Sequence, residues 1–92
     1  MTEAQDRITW DAATQQKFTK ILEEIPELIR GIAEIRVTKK AESILREQNR
    51  HIIDEKIMVD AFFSETPAGF VGAMKNSMQE LGIDYTKYGH PR

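Results

Sequence analysis

Apolar residues recur with the period of an α-helix along the first half of the chain, and one proline, Pro26, interrupts them. The apolar residues before it are spaced i, i+3, i+4 and i+7, so they share one helical face: Phe18, Ile21, Leu22 and Ile25. A proline ends a helix and suits the first turn of the next one, because its missing N–H needs no partner there. The sequence therefore predicts a first helix over about residues 11–24, which Thr9 or Asp11 can cap, and a second helix that begins at Pro26.

The second helix is predicted to be the longest, because its apolar stripe continues for about twenty residues. The members of that stripe are Leu28, Ile29, Ile32, Ile35, Val37, Ala41, Ile44 and Leu45. Gly31 lies inside it and lowers helix stability by roughly 1 kcal/mol relative to alanine. We expect this glycine to let the first helix pass closely, and we expect Asn49 to end the helix.

Two shorter helices are predicted after residue 50. The pair Ile52-Ile53 is an apolar link that can be extended, and Asp54 can cap a third helix. A break comes next, at which Thr66 caps a fourth helix and Pro67 is its first residue, and Gly82 ends it.

The fourth helix is expected to bury an apolar set that consists of Phe70, Val71, Met74, Met78 and Leu81. Gly69 and Gly72 suggest a phosphate-binding loop, but no strand precedes them and no Lys-Ser or Lys-Thr pair follows. Close helix packing explains these glycines better. The aromatic tail, residues 83–92, contains His90, which we expect to be mobile because it is so near the C-terminus.

These elements predict an all-α fold, a small bundle of about four helices with one long central helix and a very short extended link. Residues 1–8 are expected to form a flexible arm, residues 9–63 the main helical domain, and residues 64–92 a helix and tail packed on it. No apolar run approaches the roughly 18 residues that span a bilayer, and no signal peptide is recognisable. We therefore expect a cytoplasmic protein that does not bind membranes.

The residues that catalysis or metal binding requires are scarce. Cysteine is absent, which excludes thiolate chemistry and zinc–thiolate or iron–sulfur ligation within the chain. His51 is expected at a helix end, and neither His51 nor His90 has a second ligand at metal spacing. No set of nucleophile, base and orienting group can be assembled. We expect no metal, no cofactor and no enzymatic activity of the chain alone.

One charged cluster has a functional interpretation beside a structural one. Five cations occur along the second helix and just beyond it: Arg36, Lys39, Lys40, Arg46 and Arg50. They could hold a phosphate or a carboxylate, or they could form a solvated helix face. The net charge of −2 and the pI near 5.7 argue against nucleic-acid binding.

Several short motifs together resemble a known family. They are Trp10, Phe18, Ile25-Pro26, Leu28-Ile29-Arg30, Lys40-Ala41-Glu42, Ile53-Asp54-Glu55 and Ala61. Over residues 10–62 this pattern is similar to the small C-terminal domain found in light-independent protochlorophyllide reductase and in short protochlorophyllide-reductase-like proteins. In that family the cluster ligands and the catalytic core lie in a larger part of the reductase, which has no counterpart in this chain.

The resemblance implies a non-catalytic accessory domain that contacts a larger reductase subunit or a tetrapyrrole substrate during chlorophyll biosynthesis in photosynthesis. It makes Arg30 and the later basic face candidates for contacting propionate carboxylates or a neighbouring subunit. The chain departs from the family at Asp54, where threonine is common, and after Ser64, where the shared domain ends. An alternative hypothesis is a histone-fold-like protein interaction module, because a long helix, a short link and a short helix resemble part of that fold.

Overall fold

The structure, a computed structural model, describes residues 7–92. Within them the elements are β1 (Thr9–Trp10), α1 (Ala12–Glu23), α2 (Glu27–Glu47), β2 (Ile52–Ile53), α3 (Glu55–Glu65) and α4 (Val71–Glu80), with 3-10 turns at Ala68–Phe70 and Tyr85–Tyr88. This confirms the predicted small helical bundle with one long helix and a very short extended link. Residues 1–6 of the predicted arm lie outside the described residues, whereas Ile8 packs against the core.

The first helix begins where the sequence predicts. The carboxylate of Asp11 caps α1 by accepting hydrogen bonds from the Thr14 amide at 3.1 Å and the Thr14 hydroxyl at 2.8 Å. Trp10 stacks on Phe18, with ring centroids 4.5 Å apart and an interplanar angle of 17°. This stacked pair fixes the start of the helix to the core.

The long helix has well-defined ends. Pro26, with φ −52° and ψ 139°, lies just outside α2 rather than in its first turn. At the other end Asn49 has φ 56°, and the amide of Arg50 donates to the Leu45 carbonyl at 3.0 Å. This is a Schellman motif with asparagine in the left-handed position, so the predicted stop at Asn49 is confirmed.

The two short strands join the start of the chain to its middle. β1 and β2 pair in parallel, with Thr9 opposite Ile52 and Trp10 opposite Ile53. Parallel strands need a long connection between them, and here the hairpin of α1 and α2 provides it. The pair therefore holds the beginning of α1 beside the beginning of α3.

The break between the last two helices differs from the prediction. α3 continues to Glu65, Thr66 is extended with ψ 125°, and Pro67 precedes the 3-10 turn instead of opening α4. The ring of a proline disfavours helical geometry in the residue before it, which explains the extended Thr66. Phe70, expected in the buried set of the fourth helix, ends the 3-10 turn and is exposed.

Only part of the apolar stripe predicted on α2 is buried in the core. The fully packed members of that stripe are Val37, Ala41 and Leu45, all from the C-terminal half, whereas Leu28, Ile29, Ile32 and Ile35 are exposed. These four residues are exposed because other described elements pack fully against α2 only from Val37 onwards.

The expectation of close helix packing at the glycines is wrong. A Cβ atom at Gly31, Gly69 or Gly72 would meet no atom within 4 Å apart from its neighbours along the chain and its own helix backbone. Gly31 lies three residues after Leu28 and four before Ile35, and so shares their exposed face rather than the side next to α1.

Candidate functional site

An open apolar cleft of about 380 Å³ lies beside the N-terminal half of α2. Its walls come from the end of α1, from α2, from the end of α3 and from the segment that leads into α4. The main apolar residues that line it are Ile21, Ile25, Ile29, Ile32, Ala33, Val37, Phe62, Pro67, Phe70, Ala73 and Met74. The volume falls within the range of sites that bind small molecules. A cleft of this size can also accept a few side chains from another protein.

The local sequence explains why the cleft is open. Pro26 separates α1 from α2, and Pro67 turns the chain after α3, so the neighbouring helices cover the first ten residues of α2 only in part. The resulting surface keeps large side chains in water: Ile32 is 57% exposed and Phe70 is 45% exposed. Exposed apolar residues that adjoin one another mark interaction sites more often than scattered ones.

Charged groups lie at the margin of the cleft. Glu24 lines it near Pro26, Arg36 lines it ten residues further along α2, and Glu65 lines it at the end of α3. Within the described residues no carboxylate lies within 4 Å of the Arg36 guanidinium. Deeper in the cleft the Thr66 hydroxyl is 3.2 Å from the Met74 sulfur. The cleft is thus an apolar surface with a free guanidinium on one edge.

Arg30, a candidate ligand from the resemblance, is engaged in holding two helices together. Its Nε donates to the Leu22 carbonyl at 2.9 Å, and its Nη2 donates to the Ile25 carbonyl at 2.9 Å and to the Glu23 carbonyl at 3.3 Å. The Leu22 and Glu23 carbonyls belong to the last turn of α1, and Ile25 lies just beyond that helix. Carbonyls of a last helical turn lack the usual intrahelical donors. The guanidinium therefore caps α1 from the first turns of α2.

The basic residues of α2 do not form one free cluster. Arg50 forms an ion pair with Asp54 at 2.9 Å, and Arg46 lies 3.8 Å from Glu42. The remaining three, Arg36, Lys39 and Lys40, have no carboxylate within 4 Å in the part of the chain that the structure describes. These three come directly after the exposed apolar segment, so the free positive charge lies at one end of it.

Asp54, at the start of α3, has a structural role. It accepts a hydrogen bond from the Ile57 amide at 3.0 Å, which caps the helix, and it also accepts one from Arg50. Burial alone would raise the pKa of Asp54, but these hydrogen bonds outweigh that effect and hold its pKa below the usual value. The carboxylate is ionised and occupied, and so is not available as a general acid.

A second polar cluster joins three distant segments, and no pattern in the sequence indicates it. Glu55 accepts a hydrogen bond from Lys17 at 2.7 Å and another from the Tyr88 hydroxyl at 2.7 Å. Burial alone would raise the pKa of Glu55, but these two donors lower it overall. The pKa of Tyr88 is raised, first by burial and then by the Glu55 carboxylate. Near neutral pH the Glu55 carboxylate is therefore ionised and the Tyr88 hydroxyl keeps its proton, so the cluster links α1, α3 and the C-terminal tail.

His90 packs against α3, although it lies near the C-terminus. Its Nε2 lies 2.7 Å from Oδ1 of Asp60, and its ring stacks on Phe63 with centroids 4.0 Å apart and an angle of 4°. Lys56 contacts the other oxygen of Asp60 at 2.7 Å. His51 is exposed just beyond α2, and its carbonyl accepts a hydrogen bond from the Thr9 amide of the strand pair.

Neither histidine belongs to a metal-binding arrangement in the described residues. Between residues 7 and 92 no three side chains of His, Asp or Glu are grouped so that they could hold a metal ion. No helix in the same range is both long and apolar enough to cross a membrane.

Most residues that carry the resemblance support the fold. Trp10 stacks on Phe18, Pro26 precedes α2, Arg30 caps α1 and Asp54 caps α3. The cleft residues Phe70 and Met74 lie beyond the segment that the resemblance covers. The cleft is not evident from the sequence, because the helical period places Phe70 in the core.

Comparison with known proteins identifies a family. No curated protein and no solved structure matches the chain. Residues 3–91 match the model of a family described as "Protein of unknown function (DUF2621)". That match spans nearly the whole chain, and the protein therefore belongs to the DUF2621 family.

Proposed function

We propose that this protein is a non-catalytic docking domain whose apolar cleft binds a helix of a larger partner protein. The observation that supports the proposal best is the open cleft, in which Ile29, Ile32 and Phe70 stay exposed although the core nearby is closed. Amphipathic helices commonly bind in such grooves through residues spaced i, i+3, i+4 and i+7.

The dimensions and charges of the cleft suit a short helix. From Pro26 to Arg36 it runs along α2 for ten residues, which corresponds to about 15 Å at the rise of an α-helix. That length matches about three turns of a bound helix. Glu24 and Arg36 at the two ends would orient it, because each end attracts the opposite charge.

The resemblance to the protochlorophyllide reductase domain suggests one class of partner. On this hypothesis the protein is a cytoplasmic accessory subunit that binds a larger oxidoreductase subunit in tetrapyrrole reduction. The shared motifs from Trp10 to Ala61 support it. Arg36 is a better candidate than Arg30 for a propionate carboxylate. Arg36 has no ion-pair partner among residues 7–92, whereas Arg30 is bound to carbonyls at and just after the end of α1.

A photo-crosslinking experiment tests the docking proposal. Phe70 is replaced by a benzophenone amino acid in the full chain, expressed in its native cell, and Asn76, exposed on α4, is replaced in a matched control. We expect crosslinking to a defined larger protein from position 70 but not from position 76. Adding Ile29→Glu in the same chain should abolish the product, because docking would then have to bury a carboxylate among the apolar walls of the cleft. Equal products from both positions would contradict the proposal.

A tetrapyrrole experiment separates the finer hypothesis from the coarser one. Protoporphyrin, which carries two propionates, is titrated into the chain labelled for NMR. The tetrapyrrole hypothesis predicts shifts at Ala73 and Met74, weakened by Arg36→Ala and unchanged by Arg46→Ala. No shifts at the cleft would exclude the tetrapyrrole as ligand and leave the protein partner.

The histone-fold-like hypothesis remains the second candidate. The order of a helix, a long helix, a short extended link and a further helix favours it. It predicts a dimer and permits DNA binding, although the net charge of −2 opposes the latter. A salt-dependent shift of a DNA fragment at physiological ionic strength would support it, and a strictly monomeric chain would exclude its dimeric form.

A further inference from the structure

The outward side of α2 carries an apolar stripe that the cleft does not explain. Leu28, Ile32 and Ile35 are spaced i, i+4 and i+7, so they lie on one helical face. Leu28 is 95% exposed, and Ile35 is as exposed as Ile32. Of these three residues, Ile32 alone also lines the cleft. A partner seated in the cleft would therefore leave Leu28 and Ile35 in water.

We propose that this outer stripe, defined as Leu28, Ile32 and Ile35, pairs antiparallel with the same stripe of a second copy of the chain. This inference goes beyond the docking function proposed above, because it concerns the outward side of α2 and not the cleft. Ile32 is the one stripe residue that also lines the cleft, so such a dimer leaves the other apolar walls of the cleft available to the larger partner.

The distribution of charge argues for a second copy and for the antiparallel direction. Carboxylates gather at the N-terminal end of the stripe, where they are Glu23, Glu24 and Glu27. Cations without a carboxylate partner in the described part of the chain lie at its C-terminal end, where they are Arg36, Lys39 and Lys40. An antiparallel copy brings each acidic end over a basic end, whereas a parallel copy would bring like charges together. The opposed helix dipoles add to the same preference.

The residue order fits a two-fold axis between Gly31 and Ile32. With that axis Leu28 faces Ile35 of the second copy, and Gly31 faces Ile32 of the second copy. Nothing in the described chain requires a glycine at this position, since a Cβ there would meet no atom within 4 Å. At a helix crossing the missing side chain gives room for the opposing isoleucine. The surface is then complementary to itself, as an isologous interface must be.

Sedimentation of the full chain over a range of concentrations tests the proposal. We expect a monomer–dimer equilibrium that Leu28→Glu or Ile35→Glu weakens by about a hundredfold, because each change buries an unpaired carboxylate at the interface. Ser43→Glu, on α2 beyond the stripe, adds the same charge and should leave the equilibrium unchanged. Circular dichroism checks the fold of each variant, and Ile35→Ser replaces any glutamate variant that does not fold.

Charge reversal tests the direction of pairing. Glu24→Lys and Lys39→Glu should each weaken the dimer, and the double variant should restore it, because it exchanges the two ends. A chain that stays monomeric at all concentrations would overturn the inference, and so would a dimer unaffected by Leu28→Glu and Ile35→Glu. A double variant weaker than both single variants would overturn the antiparallel arrangement.

The outcomes separate this inference from the proposed function. If the chain is monomeric while position 70 still crosslinks to a larger protein, the dimer is wrong and the docking function stands. If the dimer forms through the outer stripe while position 70 gives no heteromeric product, the dimer stands and the docking function is wrong. A crosslink from position 70 to a second copy would contradict both assignments of surface.

Discussion

The N-terminal half of α2 is the more hydrophobic half of the helix, but it is the less buried one. The N-terminal half carries four large aliphatic residues, Leu28, Ile29, Ile32 and Ile35, and all four are exposed. The C-terminal half has fewer such residues, yet Val37 and Leu45 are buried. The difference arises because α3 and the strand pair pack against the second half, whereas the cleft opens beside the first. Hydrophobicity therefore indicates which side chains need a partner, and the tertiary arrangement decides which of them have one.

The largest expected contrast is between two leucines on the same helix. Leu45→Ala removes a completely buried side chain and should lower the free energy of unfolding by about 2–5 kcal/mol. Leu28→Ala removes a side chain that is already in water, and should change it by no more than about 0.5 kcal/mol. Urea denaturation at low protein concentration measures both. Similar losses for the two variants would show that Leu28 is covered within the monomer.

A second contrast compares two arginines on α2. Arg30→Ala leaves the carbonyls of Leu22 and Ile25 without their charged donor and should destabilise the chain by about 1–2 kcal/mol. Arg36→Ala removes no hydrogen bond within the described residues and should be close to neutral. Thermal or urea unfolding of both variants measures this. A neutral Arg30→Ala would contradict the assignment of its guanidinium to capping, and would leave it available as a ligand.

The acid sensitivity of the chain should come from the anchored region around the start of α3. The pKa values of Asp54 and Glu55 are lowered in the folded state, from ordinary values of 3.8 and 4.5. Their contribution to stability is present above those values and is lost as the pH falls through the lower folded values, below about pH 4. Glu55→Gln should therefore lose less stability than the wild type between about pH 5 and pH 3. Urea midpoints across that range measure the difference, and parallel curves would contradict it.

The smallest expected effect is a gain of stability at Gly31. Gly31→Ala should stabilise the dilute monomer by up to about 1 kcal/mol, because the position is helical, exposed and free of contacts. Gly82→Ala is the matched control and should destabilise, since Gly82 has φ 76°. If Gly31→Ala also weakens the dimer, the stripe and its close approach are supported together. Destabilisation of the monomer would instead place another segment against Gly31.

Local signals in the sequence identify most of the helix ends. Asp11, Asn49, Asp54 and Gly82 act through their own side chains or backbone angles, so each can be recognised without knowledge of its neighbours. The predicted helix start at Pro67 is slightly displaced, because a proline constrains the residue before it but does not fix the geometry of the residues after it.

Contacts between distant segments cannot be predicted in this way. The Lys17–Glu55–Tyr88 cluster joins residues that are more than thirty positions apart, and the stacking of His90 on Phe63 depends on the tail returning to α3. No sequence motif around these residues indicates which distant residue each of them contacts. The same holds for the cleft, whose walls come from four separate parts of the chain.

Periodicity, capping and composition establish that the chain is helical, where most of its helices begin and end, and that it lacks cysteine chemistry. These signals act over a few residues, and so they can be read along the chain alone. The packing of the helices, in contrast, leaves the first half of α2 exposed. It binds Arg30 to the end of α1 and gives Arg36 no carboxylate partner within residues 7–92. Burial depends on which surfaces of the helices meet. The sequence pattern shows which side chains are apolar, but it does not show which of them another segment covers.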